Sequence, residues 1–271
     1  MKKLLSLLLA LGVVCSLAGC AGSNDASQSD ASQSSSASGS GSQTDASQAD
    51  GSQTDAQVMS YDEYMAAAVD EQVTIEAYVQ AKQSWWEDKA TVYAQDEDGA
   101  YFLYNMVCSQ EDYEKLVPGT CIRVTGYKAE WSGEIEIMDG TFEIVEGDTF
   151  VAEPLDVTSL LGTDELINHQ NQLVDFKGLT VVAAGQDAAG NDVPFLYNWD
   201  GSGTQGDDLY FNVAVGDQTY TFTVESYLCD SSTEVYKAVE ALEIGQVIDA
   251  QGFLYWYEGV NPHITSITVV E

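Results

Sequence analysis

The sequence predicts a mostly β chain of two tandem five-stranded barrels, each with one short helix, and three observations lead there. Residues 116–127 put a Gly turn (Pro118-Gly119) before an apolar run that closes on Gly126-Tyr127, and residues 242–253 repeat this, closing on Gly252-Phe253. Short alternating strands punctuated by Gly and Asp turns surround both copies. Upstream, Asp62-Glu63-Tyr64-Met65 returns as Asp164-Glu165-Leu166-Ile167 at an offset of 102, and Val73, Ile75 and Ala77 return as Val174, Phe176 and Gly178 at 101. By Leu242 the offset from Leu116 is 126, so the second unit carries about 25 extra residues, placed at about 186–208 in a Gly/Asp/Asn-rich run.

The chain opens on an address. Lys2 and Lys3 precede an apolar stretch over 4–14 that is too short to span a bilayer comfortably, and Leu17-Ala18-Gly19-Cys20 follows. That tetrapeptide resembles the bacterial lipobox, which implies cleavage after residue 19, lipid on the Cys20 sulfur and an extracytoplasmic protein held at a membrane. Residues 20–58 are almost wholly Ser, Gln, Asp, Ala and Gly. With nothing to bury they read as a disordered tether of about 35 Å root-mean-square reach.

Order is expected from residue 59. Ser60-Tyr61-Asp62-Glu63 is a capping-box pattern opening a helix to about Val69. A strand follows over 73–79, a loop over 83–89 (Gln-Ser-Trp-Trp-Glu-Asp-Lys) and a strand over 91–95. Asp96-Glu97-Asp98-Gly99 reads as a tight turn whose Asp-Gly supplies positive φ. Then come a strand over 101–107, a short helix capped by Ser109, the repeated strand, a turn at Trp131-Ser132-Gly133 and a last strand over 134–145.

Five strands with a helix between the third and fourth is the order of an OB-fold, a Greek-key barrel. Gln95-Asp96, Gly99-Ala100-Tyr101, Pro118-Gly119 and Val124-Thr125-Gly126 resemble the extracytoplasmic OB-fold domains of bacterial lipoproteins and those beside some secreted nucleases, over residues 73–147. These motifs are structural punctuation and imply fold. The first barrel is assigned to 59–147. A linker and the second barrel take 148–271, with strands over 174–178, 210–215, 220–224, 247–253 and 263–270 and a helix over 233–242.

Chemistry is narrowed by what is missing. The two His, His169 and His263, lie near no Ser or Cys in a nucleophile elbow, so a hydrolytic triad is not expected. Beyond Cys15 and Cys20 the cysteines are Cys108, Cys121 and Cys229, without Cys-x-x-Cys spacing. Pairing of Cys108 with Cys121 stands beside the default of buried free thiols. The loop from Asp200 has Gln205 and Phe211 where a calcium-binding EF-hand loop needs Gly and Glu, so it reads as solvated. No metal and no cofactor are expected, and no enzymatic activity.

Tryptophan placement points to a ligand. An OB-fold binds through the loops after its first and fourth strands and the outer face of its second and third. Trp85, Trp86 and Trp131 fall in such loops of unit one, and Trp199 and Trp256, the latter between Tyr255 and Tyr257, in those of unit two. These rings are either stacking platforms or cross-strand staples. Lys82, Lys89 and Lys128 flank them in unit one, against Glu87, Asp88 and Glu130.

Charge weighs against nucleic acid. The whole chain has Lys+Arg 9 against Asp+Glu 44. Unit one, 73–146, holds 15 acidic and 5 basic side chains, and unit two, 173–271, holds 15 and 2. The expected function is therefore a lipid-anchored binding protein for an extracellular glycan or peptide. Oligonucleotide binding through unit one and a structural role against another envelope protein are the alternatives.

Overall fold

The computed structural model describes residues 57–270. The expected signal, Cys20 and the tether through residue 56 lie outside the described residues.

In the first barrel α1 (Tyr61–Ala66) starts at Ser60, whose hydroxyl accepts from the Glu63 N–H while the Glu63 carboxylate accepts from the Ser60 N–H. It ends three residues short of the expected Val69. The Lys128 ammonium donates to the carbonyl oxygens of Tyr64, Met65 and Ala67 at 3.1, 2.7 and 2.9 Å, closing the helix, and Ala67 is already extended. Strands β1 (Gln72–Lys82), β2 (Lys89–Gln95) and β3 (Ala100–Val107), helix α2 (Gln110–Lys115), and strands β4 (Cys121–Trp131) and β5 (Glu134–Ile144) follow. They close in the order β1-β2-β3-β5-β4, with β3 and β5 parallel.

One expected turn is built differently. Neither Asp98 nor Gly99 has positive φ. The Asp96 carboxylate instead accepts from the N–H groups of Asp98 and Gly99, both at 2.8 Å, and closes a four-residue loop. Glycine is required at 99 because a Cβ there would overlap the Tyr61 ring. By contrast, Ser132 (φ 52°) and Gly133 (φ 94°) make the two-residue hairpin between β4 and β5 that twisted strands favour.

The connection carries β6 (Leu155–Asp156) and two 3-10 turns, Thr158–Leu160 and Leu166–His169, the second where the α1 echo was expected. The second unit is β7 (Leu173–Val182), β8 (Gly185–Gln186), β9 (Asp192–Val193), β10 (Phe195–Tyr197), β11 (Leu209–Val215), β12 (Gln218–Val224), α3 (Glu234–Glu240), β13 (Val247–Phe253) and β14 (His263–Val270). Its barrel closes as β7-β11-β12-β14-β13 and back to β7, with β12 and β14 parallel. That is the first barrel's strand order again, so the chain is a tandem pair of OB-folds.

Each barrel is filled by its inward-facing alternates. Val73, Ile75, Val92, Leu103, Ile122 and Val124 fill the first, and Phe176, Leu179, Phe211, Val213, Phe222 and Ile248 the second, with Val235 of α3 packed against them. Full burial of each is worth about 1.5–3 kcal/mol. Cys108, Cys121 and Cys229 are free thiols, so the considered Cys108–Cys121 pairing is not made.

The barrels meet along a seam that uses the outer face of β2 and β3. Tyr93 stacks on Phe253 with centroids 4.3 Å apart and planes 8° off parallel, and its hydroxyl bonds His263 Nδ1 at 2.9 Å. Phe102 meets Tyr255 edge-on. Beside them the β4–β5 hairpin docks on the second unit. The Gln170 amide donates to Gly133 O and accepts from the Ile135 N–H, and the Glu258 N–H donates to Ser132 O. Trp256 packs so closely on Gly133 that a Cβ there would lie 2.8 Å from the indole Cδ1.

Glu134 is fully buried in this seam. Burial carries its carboxyl from 4.5 up to about 9, despite the Trp256 N–H that donates to Oε2 at 2.9 Å. Its Oε1 and the Asn171 Oδ1 are both buried acceptors without a donor. A proton on the Glu134 carboxyl removes the buried charge. The folded state therefore holds a proton that the unfolded carboxyl releases above pH 4.5. Its stabilising contribution is full below that pH and is lost as pH rises through about 9. Glu134→Gln can keep the Trp256 bond and removes the titrating carboxyl. Melting temperatures measured from pH 5 to 9 should fall less steeply for this variant than for the parent, with the variant more stable at pH 9; superimposable profiles would show that Glu134 is ionised in the fold.

Candidate functional site

Strand alternation determines what faces outward beside the seam. On β2 and β3 the side chains of Ala90, Val92, Ala94, Tyr101 and Leu103 point into the core, which turns Thr91, Tyr93, Phe102 and Tyr104 out. On β11 and β12, Leu209, Phe211, Phe222 and Val224 point in, and Tyr210 and Thr223 point out. These outer faces, the second and third strands of each barrel, border one cleft of about 1040 Å³.

Loops complete it. The β1–β2 loop brings Gln83, Ser84, Trp86 and Glu87 beside Lys89, tied across the cleft by the Ser84 N–H donating to Tyr227 O at 2.7 Å. The segment after β13 supplies Tyr255, Tyr257, Glu258, Asn261 and His263. The insertion supplies Trp199 and Asp208, and its end is anchored by buried Tyr236 of α3, whose hydroxyl donates to Asp207 O and accepts from the Gly206 N–H. Trp86 and Trp199 are 64% and 76% exposed, a large apolar area for two indoles on one cleft. Three of the nine non-Gly residues with positive φ among the described residues, Glu87, Asn105 and Glu258, line the cleft, with φ of 47°, 52° and 53°.

The cleft is acidic at its base. Glu225 accepts from the Leu228 N–H at 2.9 Å and the Tyr227 N–H at 3.3 Å. Burial, reinforced by Asp208, still pushes its carboxyl up to about 7. Asp208 accepts from the Ser226 N–H and hydroxyl. Burial and these carboxylates raise the Tyr210 phenol to about 12. His263 is driven down to about 3 by burial and is a neutral imidazole at physiological pH. Just behind Tyr255, buried Glu136 is pushed up to about 7 by desolvation.

Of the residues expected to bind ligand, Trp86, Lys89, Trp199, Tyr255 and Tyr257 line the cleft. The others are placed elsewhere. Lys82 donates to Tyr113 O and sits 3.7 Å over the Tyr113 ring, and Lys128 is the buried cap of α1. Trp85 donates its Nε1–H to Cys108 O at 2.9 Å, Trp256 is a staple of the seam, and Trp131 projects into solvent outside the cleft. Both lysines are long chains that find backbone carbonyls instead of the groove their sequence neighbours suggested. Phe102, Tyr104, Tyr210, Tyr227, Asp208, Glu225 and His263 were not picked out from the sequence. The outward alternation of β3 and β11 carried a signal for Phe102, Tyr104 and Tyr210.

No protein-family model matches the chain, and no curated protein matches it. Solved structures similar to it include a murine DNA-binding protein bound to double-stranded DNA, at 13% identity over 73% of this chain and 95% of that chain, TM-score 0.33. The p204 HINb domain is 12% identical over 72% and 95%, TM-score 0.32. A replication protein A heterotrimer bound to single-stranded DNA is 12% identical over 74% of this chain and 49% of that chain, TM-score 0.30.

The role of Lys128 can be separated from ligand binding. Lys128→Met leaves the α1 carbonyls without their donor and should lower unfolding free energy by about 1.5–3 kcal/mol in denaturant titration. An unchanged midpoint would mean that water caps the helix equally well.

Proposed function

We propose that this chain is a non-catalytic, lipid-anchored binding protein of the extracytoplasmic side, whose ligand, a glycan or peptide, lies in the cleft between its two barrels. One observation carries the reading. Seven aromatic side chains, Trp86, Tyr104, Trp199, Tyr210, Tyr227, Tyr255 and Tyr257, converge from both barrels on one cleft, beside the seam residue Phe102. Flat apolar faces interspersed with amides and carboxylates suit a ligand that stacks and hydrogen-bonds. The backbone N–H groups that hold Glu225 suit a fixed acceptor better than a proton shuttle. Membrane attachment rests on Leu17-Ala18-Gly19-Cys20 behind its basic and apolar leader.

Oligonucleotide binding is the second reading, and stacking on the same rings favours it. Phosphates would meet Glu87, Asp208, Glu225 and Glu258 against Lys89 in the cleft, and Lys82 and Lys128 are committed elsewhere. A stacked neutral or cationic ligand fits this balance better.

Two measurements test the reading. A ligand bound to the full chain should perturb tryptophan emission, and Trp86→Ala or Trp199→Ala should each weaken it about 3- to 10-fold, the worth of one aromatic contact; calorimetric binding that both variants leave intact would place the site elsewhere. Cys20→Ser should move the protein from the membrane fraction to the soluble one, and persistence in the membrane would end the lipoprotein assignment.

A further inference from the structure

We propose that the cleft is a receptor for an organic cation, an ammonium or guanidinium group seated at Asp208 and Glu225 and faced by Tyr210, Tyr255 and Tyr257. The proposal rests on the reading that the cleft is the ligand site and names the chemistry of what enters it.

Two carboxylates meet here without a cation. Asp208 and Glu225 lie close enough for each other's charge to be felt, and their bonds are to N–H and hydroxyl donors. Among the described residues neither takes part in a salt bridge. Like charges gathered in a partly desolvated site raise its energy, and a positive guest relieves it. Rings line the same cleft, Tyr255 with one face stacked on the His263 imidazole at 4.3 Å, and an ammonium or guanidinium over a tyrosine face left free is attracted by the ring quadrupole as well as by the carboxylates.

A buried polar group gives an independent pointer. His263 is 7% exposed and lines the cleft, with Nδ1 engaged by the Tyr93 hydroxyl and Nε2 without a hydrogen-bond partner among the described residues. With Nδ1 as the protonated nitrogen, donating to the Tyr93 hydroxyl, Nε2 presents a lone pair that can accept from an N–H of the guest. Being neutral, it adds no positive charge to oppose a cation. A metal ion is the poorer guest. Among the described residues no group of three or more His, Cys, Asp or Glu side chains could hold one, whereas calcium asks for six to eight oxygens.

Basic side chains of a peptide and free polyamines share this chemistry, and the test separates them. The full chain is titrated calorimetrically with spermidine, a short Lys/Arg peptide, the same peptide with its lysines acetylated and arginines replaced by citrulline, and a neutral oligosaccharide. The charged probes should bind and the uncharged peptide should not. Binding of the peptide alone identifies a peptide ligand; equal binding of spermidine shows that the amine suffices. Affinity should rise roughly tenfold from pH 6 to 8 as Glu225 ionises near pH 7, in the company of Asp208, Tyr210, Tyr93, Tyr255 and Cys229 around it. Glu225→Gln should flatten that rise and weaken binding about tenfold. Tyr257→Ala, at a half-exposed ring, should weaken it severalfold without endangering the fold, and the exposed, remote Glu146→Gln should change nothing. Equal or tighter binding of the uncharged peptide or the oligosaccharide, still sensitive to Tyr257→Ala, overturns the cation assignment and leaves the cleft as the site. Failure of both charged probes to bind also overturns it. Cation binding that neither cleft variant affects is adsorption to an acidic surface and overturns the cleft as well.

Discussion

The contact on which the rest depends is the parallel stack of Tyr93 on Phe253, with the Tyr93 hydroxyl held by His263. It joins the outer face of one barrel to the last two strands of the other. An aromatic pair adds about 0.5–1.5 kcal/mol beyond the area it buries, so the stack alone would not hold two domains rigidly. The docked hairpin makes up the difference. Gln170, Trp256 and Glu258 hydrogen-bond residues 132–135, and those bonds have defined directions where stacking is tolerant. Together they set the angle between the barrels and therefore the width of the cleft beside them. A groove made by one OB-fold is open on one side; here the second barrel forms the opposite wall.

Much of the fold was legible because its signals are local. Alternation, Gly turns and the repeated Gly-aromatic strand located the barrel strands, and β13 and β14 have the bounds their apolar patterns suggest. Capping chemistry placed α2 as well, since Ser109 accepts the Asp112 N–H, and α3 lies within the expected 233–242, where Thr233 turns out to accept the Tyr236 N–H. Where the reading stopped short, the cause is long-range. Helix α1 is cut at Ala66 by a lysine more than sixty residues downstream, and Asp98-Gly99 looked like a positive-φ turn until the Asp96 side chain took the hydrogen bonds.

The site was half legible for the same reason. Loops after the first and fourth strands were the expected ligand positions, and Trp86, Trp199, Tyr255 and Tyr257 come from them. Trp256, in the same loop as Tyr255 and Tyr257, turns instead to Gly133, and only the docking of a second barrel explains why one ring of three is withdrawn. Asp208, Glu225 and His263 belong to no motif. They matter because pairing of β11 with β12, and of β12 with β14, brings three distant positions to one floor.

The seam has a further consequence for stoichiometry. A duplicated binding module would ordinarily be bivalent, and its second encounter would be strengthened by the high local concentration that a covalent link creates. Here the first barrel commits Tyr93 and Phe102, at the centre of its own groove, to the second barrel. On the proposed reading the two barrels serve enclosure rather than number: they share one cleft, so its occupancy should follow a simple hyperbola.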